Sequence, residues 1–217
     1  MRIRRKQLPH SKCIITALVV FLTTAFASII VNSTLLGHGF HLEYSVSKYV
    51  GLETWSAVIF AIGDCFVAAL FGKYLWKLGE AWKMPRLFYY LIIVMVVGLL
   101  GVAFCPSGYC DFDGQKSLVT WIHEIASRTM FVAMMAEAAL IAIWKKAGRL
   151  AHAVCVAYVV YAVICIIGYF TKGEWFLPLV MVYETIYLAM FMILLAFCGL
   201  RDAELPPSER TGNILSC

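Results

Sequence analysis

The sequence predicts an all-α membrane protein: a polytopic bundle of six transmembrane helices with both termini in the cytoplasm. Three observations carry that reading. Of 217 residues, 62% are hydrophobic and only 14% are charged, with a mean hydropathy of +0.83, whereas an ordinary soluble domain is roughly 25% charged. The apolar residues fall into six runs of about 20, the length that crosses a bilayer. Lys and Arg collect at alternate junctions between those runs. Such a composition excludes a disordered chain and a soluble globular enzyme, and the length leaves no room for a separate soluble domain.

Residues 1–12 form a basic cytoplasmic segment with Arg2, Arg4, Arg5, Lys6 and Lys12, and residues 13–200 hold the transmembrane domain. The first span, Cys13 to Leu36, has no charge and extends about 36 Å as a helix. A cleaved signal peptide is the rival reading, because Ala25-Phe26-Ala27 resembles a cleavage site. The apolar run continues through Ser28 to Val31, which fits an uncleaved anchor better. Gly37 to Thr54 is a polar external loop, and the second span runs from Trp55 to Trp76, with Asp64 inside it. Lys73, Lys77, Lys83 and Arg86 flank its far end, and Pro85 turns the chain into the third span, Leu87 to Phe104. A second external loop, Cys105 to Thr120, precedes the fourth span, Trp121 to Trp144, which contains Arg128 and Glu137. Ala151 to Phe170 is the fifth span and Phe176 to Leu200, holding Glu184, the sixth; residues 201–217 are a polar cytoplasmic tail.

Orientation follows from counting basic residues: fourteen lie on the side of the termini and three, Lys48, Lys116 and Lys172, on the other. The positive-inside rule then places both termini in the cytoplasm, and tryptophans at both boundaries fit an aromatic belt. The net charge of +5 is accounted for by these flanks, so membrane lipids and not nucleic acid are the expected partners. The expected location is the cell membrane, with several passes.

An ionisable group at mid-bilayer costs ~2.5–3.5 kcal/mol on insertion scales, so each is a functional hypothesis. Counted from the external ends, Arg128 lies about one turn deep, Glu184 about two, Asp64 about two and a half and Glu137 nearly four. Arg128, Asp64 and Glu184 therefore share a layer, as the floor of an outward cavity or as a structural ion pair. Glu137 lies nine residues from Arg128, on the opposite helix face, and is a further ligand-binding candidate or a protonated carboxyl bonded across helices. Glu124, four residues before Arg128, is spaced to pair with it.

At the external mouth, His123 and Glu124 are weak candidates for acid–base catalysis. His38 and His41 have the spacing of zinc ligands, but Gly37 and Gly39 leave their segment flexible, and no metal or cofactor is predicted. Asp111 and Asp113 fit no calcium loop, because Tyr109 stands where the first Asp belongs. Cys105 and Cys110 enclose four residues and are expected to form a structural disulfide, with free thiols as the alternative. Tyr158, Tyr161, Cys165 and Tyr169 recur at helical spacing and line one face of the fifth span, either bordering a cavity or packing in the bundle.

Cys105-Pro106, a polar spacer and His123-Glu124-Ile125-Ala126-Ser127-Arg128 at the head of a long apolar helix form one distinctive stretch. With Ser45-Val46-Ser47-Lys48-Tyr49-Val50-Gly51 in the first loop, it resembles the bacterial and archaeal membrane family known as domain of unknown function 998. That family has a serine-rich segment before its second span and a Pro-to-His pattern before its fourth; Cys105 stands where an aromatic precedes the Pro. The resemblance implies a six-helix integral membrane protein in which the His123 region matters, and it carries over no activity. The expected function is a transporter-like or small-ligand- or lipid-binding membrane protein with an outward-facing polar cavity. The same residues admit a membrane-embedded enzyme acting on lipids at the external rim, and an accessory subunit bound to a partner membrane subunit.

Overall fold

The computed structural model describes residues 10–42, 44–107, 117–143, 148–171 and 175–204. Among them every regular element is helical. Helix α1 (His10–Ile30) continues into a π turn (Val31–Leu35) and is followed by the short α2 (Val46–Gly51), α3 (Thr54–Trp82) and α4 (Arg86–Phe104). Then come α5 (Leu118–Ile143), α6 (Gly148–Thr171), a 3₁₀ turn (Leu177–Leu179) and α7 (Val180–Glu204). Five helices are long and apolar enough to cross a membrane, and α7 contributes a shorter apolar stretch, Val180–Ala196.

The six long helices close into a ring: α1 packs on α3, α3 on α4, α4 on α5, α5 on α6, α6 on α7, and α7 back on α1. Side chains such as Phe71, Phe88, Met134 and Phe191 are fully buried within the bundle, whereas Phe66, Val97 and Ile125 point outward and are about three-fifths exposed. An apolar exterior of that extent is compatible with a surface that faces lipid. Glycines allow close approach between neighbouring helices, the kind of packing that suits helices in lipid. Gly63 of α3 faces Thr24 of α1, and Gly98 and Gly101 of α4 face Met130 and Ala126 of α5.

Two elements differ from the sequence expectation. The second span was expected to end at Trp76, but α3 continues to Trp82 because Leu75, Leu78, Gly79 and Trp82 are buried along one side while Lys73 and Lys77 stay exposed. Its end is a left-handed cap at Lys83, φ 51°, followed by Pro85, which starts α4. The first loop, expected to be simply polar, contains α2. Ser45 caps it by accepting from the Lys48 N–H at 3.2 Å, and Tyr49 and Val50 are completely buried. Asn32, in the π turn, donates from Nδ2 to the Tyr49 carbonyl (2.6 Å) and to Ser56 Oγ (3.2 Å). Ser56, near the start of α3, donates to the Val50 carbonyl at 2.8 Å. These bonds pin α2 across one end of the ring.

Candidate functional site

Two adjoining spaces open near the α2 end. The first is a chamber of about 50 Å³ at the centre of the ring, where Ser47 (α2), Asp64 (α3), His123 and Ser127 (α5) and Glu184 (α7) converge. Its volume is that of about four water molecules. The second is a groove of about 160 Å³ between α5, α6 and α7, with apolar walls that include Phe131, Phe170 and Val180, and with Arg128, Tyr169 and Glu184 on its lining. Ser127, Phe131 and Glu184 border both spaces.

In the chamber, Ser47 Oγ lies 3.0 Å from His123 Nε2, and His123 Nδ1 lies 2.7 Å from the Cys105 carbonyl oxygen. A carbonyl only accepts, so Nδ1 carries the proton and donates; in the neutral ring Nε2 then presents a lone pair to the Ser47 hydroxyl. Both side chains are nearly buried, at 7% and 6% exposure. Glu184 Oε2 accepts from the Val46 N–H at 3.3 Å. Asp64 is 1% exposed, and its Oδ1 has no hydrogen-bond partner among the described residues.

The expected meeting of Arg128, Asp64 and Glu184 is therefore corrected. Asp64 and Glu184 share the chamber, Arg128 and Glu184 share the groove, and Arg128 does not line the chamber. Arg128 Nη2 donates to Glu124 Oε2 at 2.7 Å, the expected pairing one turn along the helix, and to Tyr169 Oη at 2.9 Å. Its guanidinium carbon also sits 5.3 Å from the Tyr169 ring centre. The reason is angular: five residues at 100° each carry Arg128 about 140° around α5 from His123, toward α6.

Of the tyrosine stripe on α6, Tyr158 packs in the core against Tyr187 and Phe191, Tyr161 donates to the Tyr183 carbonyl, and Cys165 and Tyr169 line the groove. His38 pairs with Glu53 at 3.2 Å and His41 stacks on Tyr44. Cys105 is half-buried and its thiol is free among the described residues; Cys110, its expected disulfide partner, lies outside them, as do Asp111 and Asp113.

Glu137 is fully buried, and neither carboxyl oxygen has a hydrogen-bond partner among the described residues, contrary to the expected cross-helix bond. An unpartnered buried polar group costs about 1–3 kcal/mol. Glu137→Met, which keeps the volume and removes the polar atoms, is expected to stabilise the protein by a similar amount. Thermal unfolding in detergent checks this, and a lowered midpoint would show that the carboxyl is instead held by a partner.

The sequence reading missed Ser47 as a site residue. Nothing in its spacing ties it to His123, 76 positions away. No protein-family model, curated protein or solved structure matches the chain.

Proposed function

We propose that the chain is a six-span protein of the cell membrane that binds a single-chain amphiphile with an anionic head group in the groove between α5, α6 and α7. In this reading α7 supplies the sixth span, and the α2 end faces outside because most basic residues lie at the other end. Kinship with the family known as domain of unknown function 998 is part of the proposal, resting on residues 45–51 and 105–128. The observation that carries the binding reading is a groove with mostly apolar walls and a cation on its lining. Phe131, Phe170 and Val180 suit a hydrocarbon chain, while Arg128, with a side chain 43% exposed, offers a planar donor set to a phosphate or carboxylate. Glu124 already holds that guanidinium in place, so little side-chain order is lost on binding.

A lysophospholipid with a fluorescent acyl chain, titrated into protein purified in a neutral maltoside detergent, tests the reading. Arg128→Ala is expected to weaken binding by about tenfold, the order of one charge-assisted hydrogen bond. A probe with an uncharged head should bind wild type and variant alike. Equal affinity of both proteins for the anionic probe would remove the groove from consideration.

A further inference from the structure

We propose that Ser47 and His123 form a nucleophile–base pair that cleaves a carboxylic ester, the substrate being an acylated amphiphile whose chain lies in the neighbouring groove. The substrate class rests on the binding reading above; the reactivity of the pair does not.

Three segments distant in sequence supply the parts. Ser47 comes from α2, His123 from the second turn of α5, and the carbonyl that fixes the imidazole from Cys105, just after α4. The order hydroxyl, Nε2, Nδ1–H, acceptor is what an activated serine requires: a base within hydrogen-bond reach of the nucleophile and a third group that orients the base. A backbone carbonyl stands where a carboxylate more often does, and it holds the same tautomer. Ser127, Phe131 and Glu184 border both groove and chamber, so the two spaces adjoin, and the proposal puts the ester of a chain in the groove at that boundary.

Oγ of Ser47 bonds to the ester carbonyl carbon as its proton passes to His123 Nε2. The adduct collapses, the bond from carbon to the alcohol oxygen breaks, and Nε2–H returns the proton to that oxygen. Water, losing a proton to Nε2, then adds to the acyl carbon; the bond from that carbon to Ser47 Oγ breaks, Nε2–H returns its proton to Oγ, and the products are a carboxylic acid, an alcohol and the free serine. Ester and water are the only reactants consumed, and Asp64 takes no part.

The rival account is that the Ser47–His123 bond only staples α2 to α5. An alkyl fluorophosphonate distinguishes the two, because attack by Oγ forms a bond to phosphorus and expels fluoride, leaving a covalent adduct that a stapling serine does not form. With the full-length protein in maltoside detergent, peptide mass spectrometry is expected to place the adduct on Ser47. The adduct should be absent from Ser47→Ala and form at least about 100-fold more slowly in His123→Gln, and wild type should hydrolyse p-nitrophenyl butyrate. Wild type that binds the lysophospholipid but neither forms the adduct nor cleaves the ester overturns the nucleophile and leaves the binding reading intact. An adduct with no lysophospholipid binding overturns the groove reading and supports the pair, whose substrate is then a shorter ester. Labelling of Ser47 at an undiminished rate in folded His123→Gln overturns the role of His123 as base.

Discussion

Gly101→Ala is expected to destabilise the bundle by about 1–3 kcal/mol, the usual cost of forcing an extra carbon into a packed contact, and Ala126→Gly is expected to restore much of that loss. A Cβ at residue 101 would lie 2.6 Å from the Cβ of Ala126, and its next neighbour would be Ala126 Cα at 3.9 Å. One methyl group therefore accounts for the clash. Ala126→Gly alone costs roughly 1 kcal/mol through its weaker helix propensity, so two independent changes would give a double variant worse than either. The contact instead predicts coupling of the opposite sign, read from thermal midpoints of the four proteins in one detergent. Additive losses would mean that α4 and α5 do not meet at these residues. Because Ala126 and Ser127 are adjacent on α5, the same displacement pushes the helix that carries His123 and Ser127, and the chamber should loosen along with the fold.

Asn32→Ala is expected to release α2. The Asn32 carboxamide is fully buried and holds the Tyr49 carbonyl at 2.6 Å and Ser56 Oγ at 3.2 Å. Its loss leaves the Tyr49 carbonyl buried with a vacant acceptor site, at about 1–3 kcal/mol. A six-residue helix has too few internal bonds to persist without docking, so the loss appears as local opening. Hydrogen exchange should report roughly 5–30-fold weaker protection of amides in 46–52, with α4 and α5 little changed. Protection unchanged across α2 would show that Tyr49, whose hydroxyl accepts from the His41 N–H, anchors the segment by itself.

The long helices were legible because runs of about 20 apolar residues, the length a bilayer requires, stand out in a sequence; five of the described helices meet that length and α7 has a shorter apolar stretch. Where amphipathic character replaced uniform hydrophobicity, legibility failed: Lys73 and Lys77 looked like the end of a span, while Tyr74, Leu75 and Leu78 between and beyond them are core residues. The α2 segment was illegible for a different reason. Its docking depends on Asn32 and Ser56, and composition alone classes SVSKYV as loop. For the site, the spacing of Glu124 and Arg128 was sufficient, since both lie on one helix and pair as expected. Depth placed Asp64 and Glu184 at one level, and the structure brings them to one chamber. Depth says nothing about the direction a side chain takes around its helix, so Arg128 was expected in a cluster it turns away from. The Ser47–His123 pair depends on how a loop folds over the bundle, which no periodicity records.

Closure of the ring also bears on cooperativity. Part of the chamber wall is made by Glu184, Leu188 and Met192 of α7, and α7 is also the helix that docks back against α1. Its apolar stretch, Val180–Ala196, is shorter than those of the other five long helices, and it carries a glutamate. Detaching α7 would therefore open the ring and uncover the Asp64 carboxyl in one event, so the enclosure of the polar interior and the closing of the bundle stand or fall together.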